Sequence, residues 1–301
     1  MDQLYKRTLM SNITGIIASY WTVAGGAYPL APSETSTFAF SDRVEAAASA
    51  GYSGMGFIHQ DLVAVRAELG FSEMRRILEA NGIKDVEVEI ITDWYATGER
   101  RAKSDAIKAD LLSAGEALGA RAIKVMGDAT DTKASWPHQL LVDSFVGLCA
   151  DAGRVGMKVG IEIMPWTNFS TIANTMPVVE AAGTANGGLY LDIWLMVRGG
   201  VDLAEIGRLA PKYIVSIEIN DAAKEVPGGD LWSDTVNNRL LCGEGSFDIA
   251  RFMSEVKKAG YSGPCGVEIL SKAQRQKPLA EAATSAFRSA RPYIGLTIRP
   301  D

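Results

Sequence analysis

Eight short apolar runs limit the possible folds of this sequence more than any other feature. They occupy residues 14–19, 54–59, 86–92, 122–128, 158–165, 188–194, 213–221 and 263–270. Amphipathic stretches with helical periodicity lie between several of these runs, at residues 40–51, 71–82, 109–119 and 247–260. Helices of this length between apolar strands favour parallel strands joined by helical crossovers. The pattern therefore predicts a parallel sheet in which strands and helices alternate.

The number of strands favours one of two parallel architectures. A chain of 301 residues with 47% hydrophobic content is long enough for a (β/α)₈ barrel, a fold that commonly takes ~250 residues. The rival, a doubly wound sheet, usually has a glycine-rich first turn, but residues 23–29 lack the GxGxxG spacing. No linker-like tract interrupts the chain. We expect a single (β/α)₈ TIM barrel at residues 13–295, with an N-terminal extension, 1–12, and a C-terminal tail, 296–301.

Charge and cysteine content exclude several classes of partner. The formal net charge is −6 and the chain has no run of lysine and arginine, so we expect neither nucleic acid nor an anionic membrane as a partner. No apolar run approaches the ~18 residues that span a bilayer. The three cysteines have no metal-type spacing, which favours reduced thiols and a cytoplasmic protein.

The last four apolar runs each contain one acidic residue between two apolar neighbours. These acids are Glu162, Asp192, Glu218 and Glu268. Side chains alternate along a strand, so apolar neighbours that face the outer helices send each acid into the barrel interior. The sequence therefore predicts four inward carboxylates on consecutive strands.

Four carboxylates inside one barrel cannot all be ionised without a cation, because their repulsion and desolvation would be prohibitive. A bound divalent metal is the simplest resolution, and an oxygen-only set suits Mn²⁺ or Mg²⁺ better than Zn²⁺. The alternative is that each acid separately pairs with a lysine or an arginine, or caps a turn. The recurrence of an acid on consecutive strands favours the metal.

These motifs resemble a known family. The chain from Ile13 to Tyr293 is similar to the xylose isomerase-like barrel superfamily of sugar isomerases and epimerases, whose members include inosose dehydratase, ketose 3-epimerases and endonuclease IV. The similarity is strongest in "GIEIMP", "LDIW…RGG", "VSIEINDA", "RLLCGEGSFD" and "GVEIL". In the family, the corresponding strands supply a Glu, an Asp, a His and a Glu around one divalent metal.

The resemblance assigns roles to the four acids. It implies that Glu162, Asp192, Glu218 and Glu268 are the metal ligands, and that Glu162 and Glu268 are the catalytic base and acid. Two positions depart from the family pattern. Glu218 stands where the third ligand is usually histidine, which argues for a hard metal. Leu195 stands where epimerases have a histidine that contacts the substrate, which argues for a less polar or differently held substrate.

Several other polar residues are candidates for substrate binding. Lys124 interrupts the fourth strand and either points inward to a substrate oxygen or covers a rim. Lys224 lies where related epimerases carry a substrate-contacting arginine, although a solvated loop lysine is the plain alternative. Arg239 precedes a glycine-rich turn and can hold a carboxylate, either of a ligand or of a substrate. His59 ends the second strand, where it can bind substrate or be structural.

Aromatic residues cluster just after the strands or in the loop that follows the seventh strand. They are Trp94, Tyr95, Trp166, Trp194 and Trp232. Core packing explains any one of them, but together they suggest a pocket wall that stacks on a ring. Glu87 and Glu89 share a face of the third strand, and we interpret them as salt-bridged structural acids.

The sequence and the resemblance together favour a divalent-metal-dependent isomerase or epimerase. Its substrate would be a sugar or keto-polyol, a small carbohydrate-like molecule, and the chain could form a homo-oligomer. The alternative is a metal-dependent dehydratase or lyase that acts by β-elimination on a keto-polyol, an inosose or a 3-keto-glycoside. An endonuclease IV-like enzyme is excluded, because two histidines are too few for clustered zinc. A non-catalytic binding protein is less consistent with intact acids at all four ligand positions.

Overall fold

A computed structural model describes residues 13–130 and 136–295, and its eight parallel strands form a closed barrel. The strands follow chain order: β1 (Ile16–Ala18), β2 (Gly54–Ile58), β3 (Asp85–Ile91), β4 (Ala122–Met126), β5 (Lys158–Glu162), β6 (Gly187–Asp192), β7 (Ile214–Ile219) and β8 (Cys265–Val267). Strand β8 pairs with β1, so the barrel has no free edge. The predicted single (β/α)₈ TIM barrel is confirmed.

Helices follow the strands and surround the barrel. The α-helices of the described residues are α1 (Phe40–Ala50), α2 (His59–Ala80), α3 (Gly98–Leu118), α4 (His138–Arg154), α5 (Ile172–Ala182), α6 (Ile193–Arg198), α7 (Leu231–Asn237), α8 (Ile249–Lys258) and α9 (Leu279–Ile294). Short 3₁₀ helices occupy Tyr20–Thr22, Leu203–Arg208, Pro211–Tyr213, Pro227–Gly229 and Gln274–Gln276. After β6 the long crossover helix is replaced by α6 and the 3₁₀ helix Leu203–Arg208, which packs against α8.

Strand β5 shows why the barrel interior is polar. Val159 and Ile161 are buried in the core shared by strands and helices, whereas Glu162 lines a central cavity. Strand β7 has the same alternation, with Ile217 in the core and Glu218 facing inward to the side chains of β4. Burying one such side chain stabilises a fold by about 1.5–3 kcal/mol. The register that buries the isoleucines therefore also sends the acids inward.

Helix α2 begins earlier than its sequence pattern predicts. It starts at His59 rather than at residue 71, and Gly70, with a φ of 74°, interrupts its helical geometry. Leu62 and Val65 are buried, and their spacing gives the first turns of α2 an apolar face. Gly70 separates these first turns from the predicted helix, since glycine lowers helix propensity inside a helical pattern.

Some strand ends also differ from the prediction. Strand β8 ends at Val267, so Glu268 directly follows it, and β6 ends at Asp192, so Trp194 belongs to α6. The expected extension, 1–12, and tail, 296–301, lie outside the described residues. None of the helices in the described ranges is both long and apolar enough to cross a membrane.

Candidate active site

A cavity of about 670 Å³ lies at the carboxyl ends of the strands, the face of this fold that carries active sites. The charged residues Glu89, Lys124, Glu162, Arg239 and Glu268 line its buried part. Most of the remaining lining is apolar, including Trp21, Leu30, Met126, Met164, Trp166, Leu195, Trp232 and Leu270. Leu30 and Trp232, exposed by 78% and 42%, lie at the mouth. The cavity therefore has a charged floor and a largely apolar wall.

Three of the predicted ligands meet at the floor. One carboxylate oxygen from each of Glu162, Asp192 and Glu218 lies within 4.8 Å of the other two. All three side chains are buried, because they come from the inward faces of β5, β6 and β7. The fourth predicted ligand, Glu268, lines the same cavity. This arrangement brings the four sequence-predicted acids together.

Lys124 lies among these acids and points inward. Its Nζ atom is 3.1 Å from Oε1 of Glu162, 2.9 Å from Oε2 of Glu218 and 3.8 Å from Oε1 of Glu268. A fourth acid, Glu89 of β3, accepts a bond of 2.8 Å from the same ammonium group. The Lys124 side chain is thus the cation at the centre of a ring of carboxylates.

Arg239 is the second cation of the floor. Its Nη1 atom donates to Oδ2 of Asp192 at 2.6 Å and to Oε2 of Glu268 at 2.7 Å. Its Nη2 atom donates to Oγ1 of Thr235 at 3.0 Å. One guanidinium group therefore ties an acid on β6 to the acid that follows β8, so Arg239 holds two carboxylates of the predicted ligand set.

Neutral donors satisfy the remaining oxygens of two of the predicted ligands. Oδ1 of Asp192 accepts from the backbone N–H of Trp194 at 2.6 Å, which caps α6, and from Nδ2 of Asn220 at 3.1 Å. Oε1 of Glu218 accepts from the Ser19 hydroxyl at 2.5 Å. Charge-assisted bonds of this kind are short and strong, so both carboxylates are held in fixed orientations.

The floor carries more acids than cations. Burial raises the pKa of Glu218 to about 7, against the lowering effect of Lys124. Burial likewise raises the pKa of Glu268 to about 7, with Glu218 adding to the rise, and it raises the pKa of Glu162 well above its ordinary value. Burial lowers the pKa of Lys124, but Glu162, Glu218 and Glu89 outweigh it and raise that pKa overall. The five carboxyl groups are thus incompletely neutralised by two cationic side chains.

The donor set fits a hard divalent cation. Its ligand atoms are carboxylate oxygens, which suit Mg²⁺ and Mn²⁺, and the unneutralised charge can accept a further cation. The structure also contains the alternative considered for the sequence, since Lys124 and Arg239 already pair with these acids. The acids could therefore hold a metal, although they also have partners of their own.

The other substrate-binding candidates divide into two groups. His59, Trp166, Leu195 and Trp232 line the cavity, and Nε2 of His59 lies 2.9 Å from Oδ2 of Asp110. Lys224 is exposed in the loop after β7 and is not a lining residue. Its contact with substrate remains a prediction.

The aromatic wall is smaller than the sequence suggested. Trp94 and Tyr95 are buried, and Nε1 of Trp94 donates to the backbone oxygen of Met126, so their predicted place in the wall is wrong. Trp194 is fully buried beside Trp166, without being a lining residue. An aromatic residue that follows a barrel strand can face either the cavity or the core between strands and helices. Its position in the sequence therefore does not show which of the two it faces.

The place of Glu89 in the cavity was not predicted from the sequence. Glu87 is a structural acid, as expected, since it bonds to Arg121, Tyr190 and Ser216. Glu89 instead lines the cavity and pairs with Lys124. Its position between two apolar residues of β3 is the same signal that revealed the four other acids.

The chain belongs to the xylose isomerase-like TIM barrel family, whose sequence pattern matches residues 44–290. The 3-dehydroshikimate dehydratase of Pseudomonas aeruginosa is 25% identical over 253 residues, which are 82% of this chain and 39% of that protein. The inosose isomerase of Halalkalibacterium halodurans is 28% identical over 133 residues, 44% of this chain and 46% of that protein. The chain therefore spans less than half the length of these curated relatives, both of which are enzymes.

Solved structures confirm the fold. The IOLI protein, solved with a bound zinc atom, superposes with a TM-score of 0.80 and 17% identity, over 93% of this chain and 98% of that one. At this identity the likeness shows the shared barrel alone. The family is thus established as predicted, and its members include both isomerases and a dehydratase.

Proposed function

We propose that the protein is a divalent-metal-dependent isomerase or epimerase that moves a proton next to the carbonyl group of a sugar or keto-polyol. The observation that supports this most directly is the placement of Glu162 and Glu268. Both carboxylates line the same cavity, and Lys124 Nζ lies 3.1 Å from the first and 3.8 Å from the second. A substrate above Lys124 would meet two proton-transferring groups at once.

Glu162, Asp192, Glu218 and Glu268 would hold the metal, which we propose to be Mn²⁺ or Mg²⁺. When bound, the metal supplies polarisation of the substrate's carbonyl and hydroxyl oxygens. Arg239 and Asn220 fix the orientation of Asp192, and preorganised ligands do not have to reorder when the substrate binds.

The side chains of the cavity would perform the proton transfer. Glu162 removes the carbon-bound proton, and Glu268 returns a proton to the neighbouring position or to the opposite face. Lys124 donates a hydrogen bond to the oxygen on which negative charge develops. Trp166 and Trp232, with ring centroids 6.2 Å apart, cover the substrate, and His59 binds a hydroxyl group at the rim.

Replacement of either glutamate by glutamine tests these roles. The amide keeps the size of the side chain but cannot accept the substrate proton, so Glu162→Gln and Glu268→Gln should each reduce turnover by about 10²-fold or more. Glu99→Gln, on the exposed outer side of α3, is the matched control and should retain normal turnover. Near-normal turnover in either active-site variant would show that its glutamate is not a proton-transfer group.

A dehydratase or lyase is the second candidate, and the largely apolar wall of the cavity favours it. In this reaction Glu162 removes the proton next to the carbonyl, and the bond to the β-oxygen breaks. The leaving oxygen takes a proton from Glu268, giving an unsaturated ketone and either water or an alcohol. An apolar wall beside Leu195 suits a substrate with an apolar leaving group. The similarity to 3-dehydroshikimate dehydratase over 82% of this chain agrees with elimination.

One experiment separates the two candidates. The metal-supplemented protein is incubated in D₂O with ketoses, inososes and 3-keto-glycosides, and the products are analysed by mass spectrometry. Deuterium incorporation without loss of a group supports an isomerase or epimerase. Loss of water or of an aglycone supports the dehydratase or lyase, and neither outcome with any substrate would contradict both.

A further inference from the structure

The ammonium group of Lys124 binds carboxylate oxygens that a metal ion would also need. Lys124 Nζ lies 3.1 Å from Oε1 of Glu162 and 2.9 Å from Oε2 of Glu218. Both residues belong to the three-carboxylate group that could hold an ion. Two cations that share the same oxygens repel each other strongly where water is scarce. Lys124 and a metal therefore cannot bind Glu162 and Glu218 independently.

Glu89 provides Lys124 with a partner outside the metal-binding group. It accepts from Nζ at 2.8 Å, and it lies on β3, one strand before Lys124 and away from β6 and β7. The Tyr190 ring adds a cation–π contact, with its centroid 4.4 Å from Nζ. When Glu162 and Glu218 turn to an ion, the ammonium group can keep Glu89 and Tyr190. A buried ammonium without such partners would be very costly.

We propose that Lys124 is a built-in competitor for the metal, and that Glu89 is the acceptor that retains its ammonium group when the ion binds. In the metal-free protein, Lys124 neutralises Glu162 and Glu218 and keeps the floor in its folded arrangement. In the metal-bound protein, Glu89 alone carries the ion pair. Metal affinity is thus set by this exchange as well as by the ligands. The inference rests on the metal binding proposed above.

A double-mutant cycle on metal affinity tests the proposal directly. The full chain, stripped of metal with a chelator, is titrated with Mn²⁺ in a calorimeter as wild type, Lys124→Met, Glu89→Gln and the double variant. Methionine is close in size to lysine and has no charge. Removing the competitor should tighten Mn²⁺ binding by about tenfold or more, a change of the size, though opposite in sign, that substitutions beside metal ligands typically cause.

The expected effect of Glu89→Gln is opposite and depends on Lys124. When Lys124 is present, its ammonium group loses Glu89 as an acceptor and pairs more strongly with Glu162 and Glu218. Mn²⁺ binding should therefore weaken several-fold. In the Lys124→Met background, the same substitution should have a much smaller effect. Equal weakening in both backgrounds would show that Glu89 acts on the ion directly, and would overturn its proposed role.

Two further variants complete the test. Lys108→Met removes a positive charge outside the barrel, where the lysine pairs with Asp151, and should leave Mn²⁺ affinity unchanged. If Lys124→Met does not fold, Lys124→Gln carries the same expectation, because it also removes the positive charge. Its amide can still donate to the acids, which supports folding.

The outcomes distinguish this inference from the proposed function. Unchanged or weaker Mn²⁺ binding in the folded Lys124 variant, with normal binding by the wild type, would overturn the competitor role alone. Absence of binding in every variant would overturn both the proposed metal and this inference. Binding by Lys124→Met without binding by the wild type would support the competitor role and would contradict the metal dependence proposed for the native protein.

Discussion

Leu195 is the residue that bears most directly on the choice between the two candidate reactions. It lines the cavity, packs with Trp194 and Ala222, and is only 2% exposed. An apolar side chain here cannot orient a substrate hydroxyl group, and a site that hydrogen-bonds a hydroxyl discriminates strongly against substrates without one. In the proposed site, this residue would therefore favour an apolar group at this point of the substrate.

We expect Leu195→His to change substrate preference more than stability. The imidazole ring should face the cavity and hydrogen-bond to substrates that present a hydroxyl group. The ratio of kcat/KM between polar and apolar substrates should therefore shift by about tenfold or more. Leu195→Met keeps the apolar character and is the control. Kinetics on a matched pair of substrates check this, and an unaltered ratio in Leu195→His would remove Leu195 from the substrate site.

Single residues also show where sequence reasoning was sufficient. Glu162 and Glu218 were predicted to face inward because their isoleucine neighbours fix the strand register, and the structure places them so. The same alternation applies to Lys124 and Glu89, but charged residues on strands have several possible partners. Their pairing joins two strands at 2.8 Å, and no local pattern encodes a contact of that kind.

The loop between α7 and α8 shows how one element is anchored to a strand end. Asp221, directly after β7 and Asn220, accepts backbone bonds from Gly243 at 2.9 Å and Phe247 at 2.9 Å. A Cβ atom on Gly245 would lie 2.3 Å from the backbone oxygen of Ala222. Gly245, the second glycine of the "CGEGSFD" motif, is therefore required because the loop closely approaches the chain that follows β7.

Gly245→Ala should accordingly destabilise the protein. The methyl group must displace backbone, and such overpacking typically costs about 1–3 kcal/mol. Gly147→Ala is the control, because its added Cβ meets nothing within 4 Å in helix α4, and alanine is the better helix former by roughly 0.5–1 kcal/mol. Chemical denaturation of both variants checks this. A Gly245→Ala variant as stable as the wild type would contradict the close-approach argument.

Elements differ in how well the sequence predicts them. Helix α1 matches its predicted range to within one residue, since it has an uninterrupted amphipathic pattern and ends at Gly51 in the left-handed conformation. Helix α3 begins at Gly98 rather than at residue 109, because its first turns are polar and surface-exposed. The polar first turns of α3 were therefore harder to predict than the amphipathic range of α1.

At the scale of the whole molecule, barrel closure creates the site. The acids on β5, β6 and β7 meet Glu268 after β8 and Lys124 on β4 only because the sheet curves back on itself. The number of apolar runs and their alternation with helical stretches predicted that closure. The balance between acids and cations in the interior could not be predicted, since it depends on distances across the barrel.

This charge balance leads to a prediction about stability and metal removal. A ligand that binds only the folded state stabilises it by about 2.7 kcal/mol at a hundred times its Kd. For a domain of this size, each kcal/mol raises Tm by roughly 2–4 °C. Saturating Mn²⁺ should therefore raise Tm by several degrees, and a chelator should reverse the rise and abolish turnover.

The location of the ion can be checked in the same thermal assay. Asp192→Asn removes one of the three converging carboxylates and keeps nearly the same shape, so the Mn²⁺-dependent rise in Tm should be largely lost. Glu99→Gln, exposed on α3, should retain it. A full rise in Asp192→Asn would mean that Mn²⁺ stabilises the protein from another site, because an ion held at the barrel floor depends on these oxygens. Full turnover after verified metal removal would contradict the metal requirement itself.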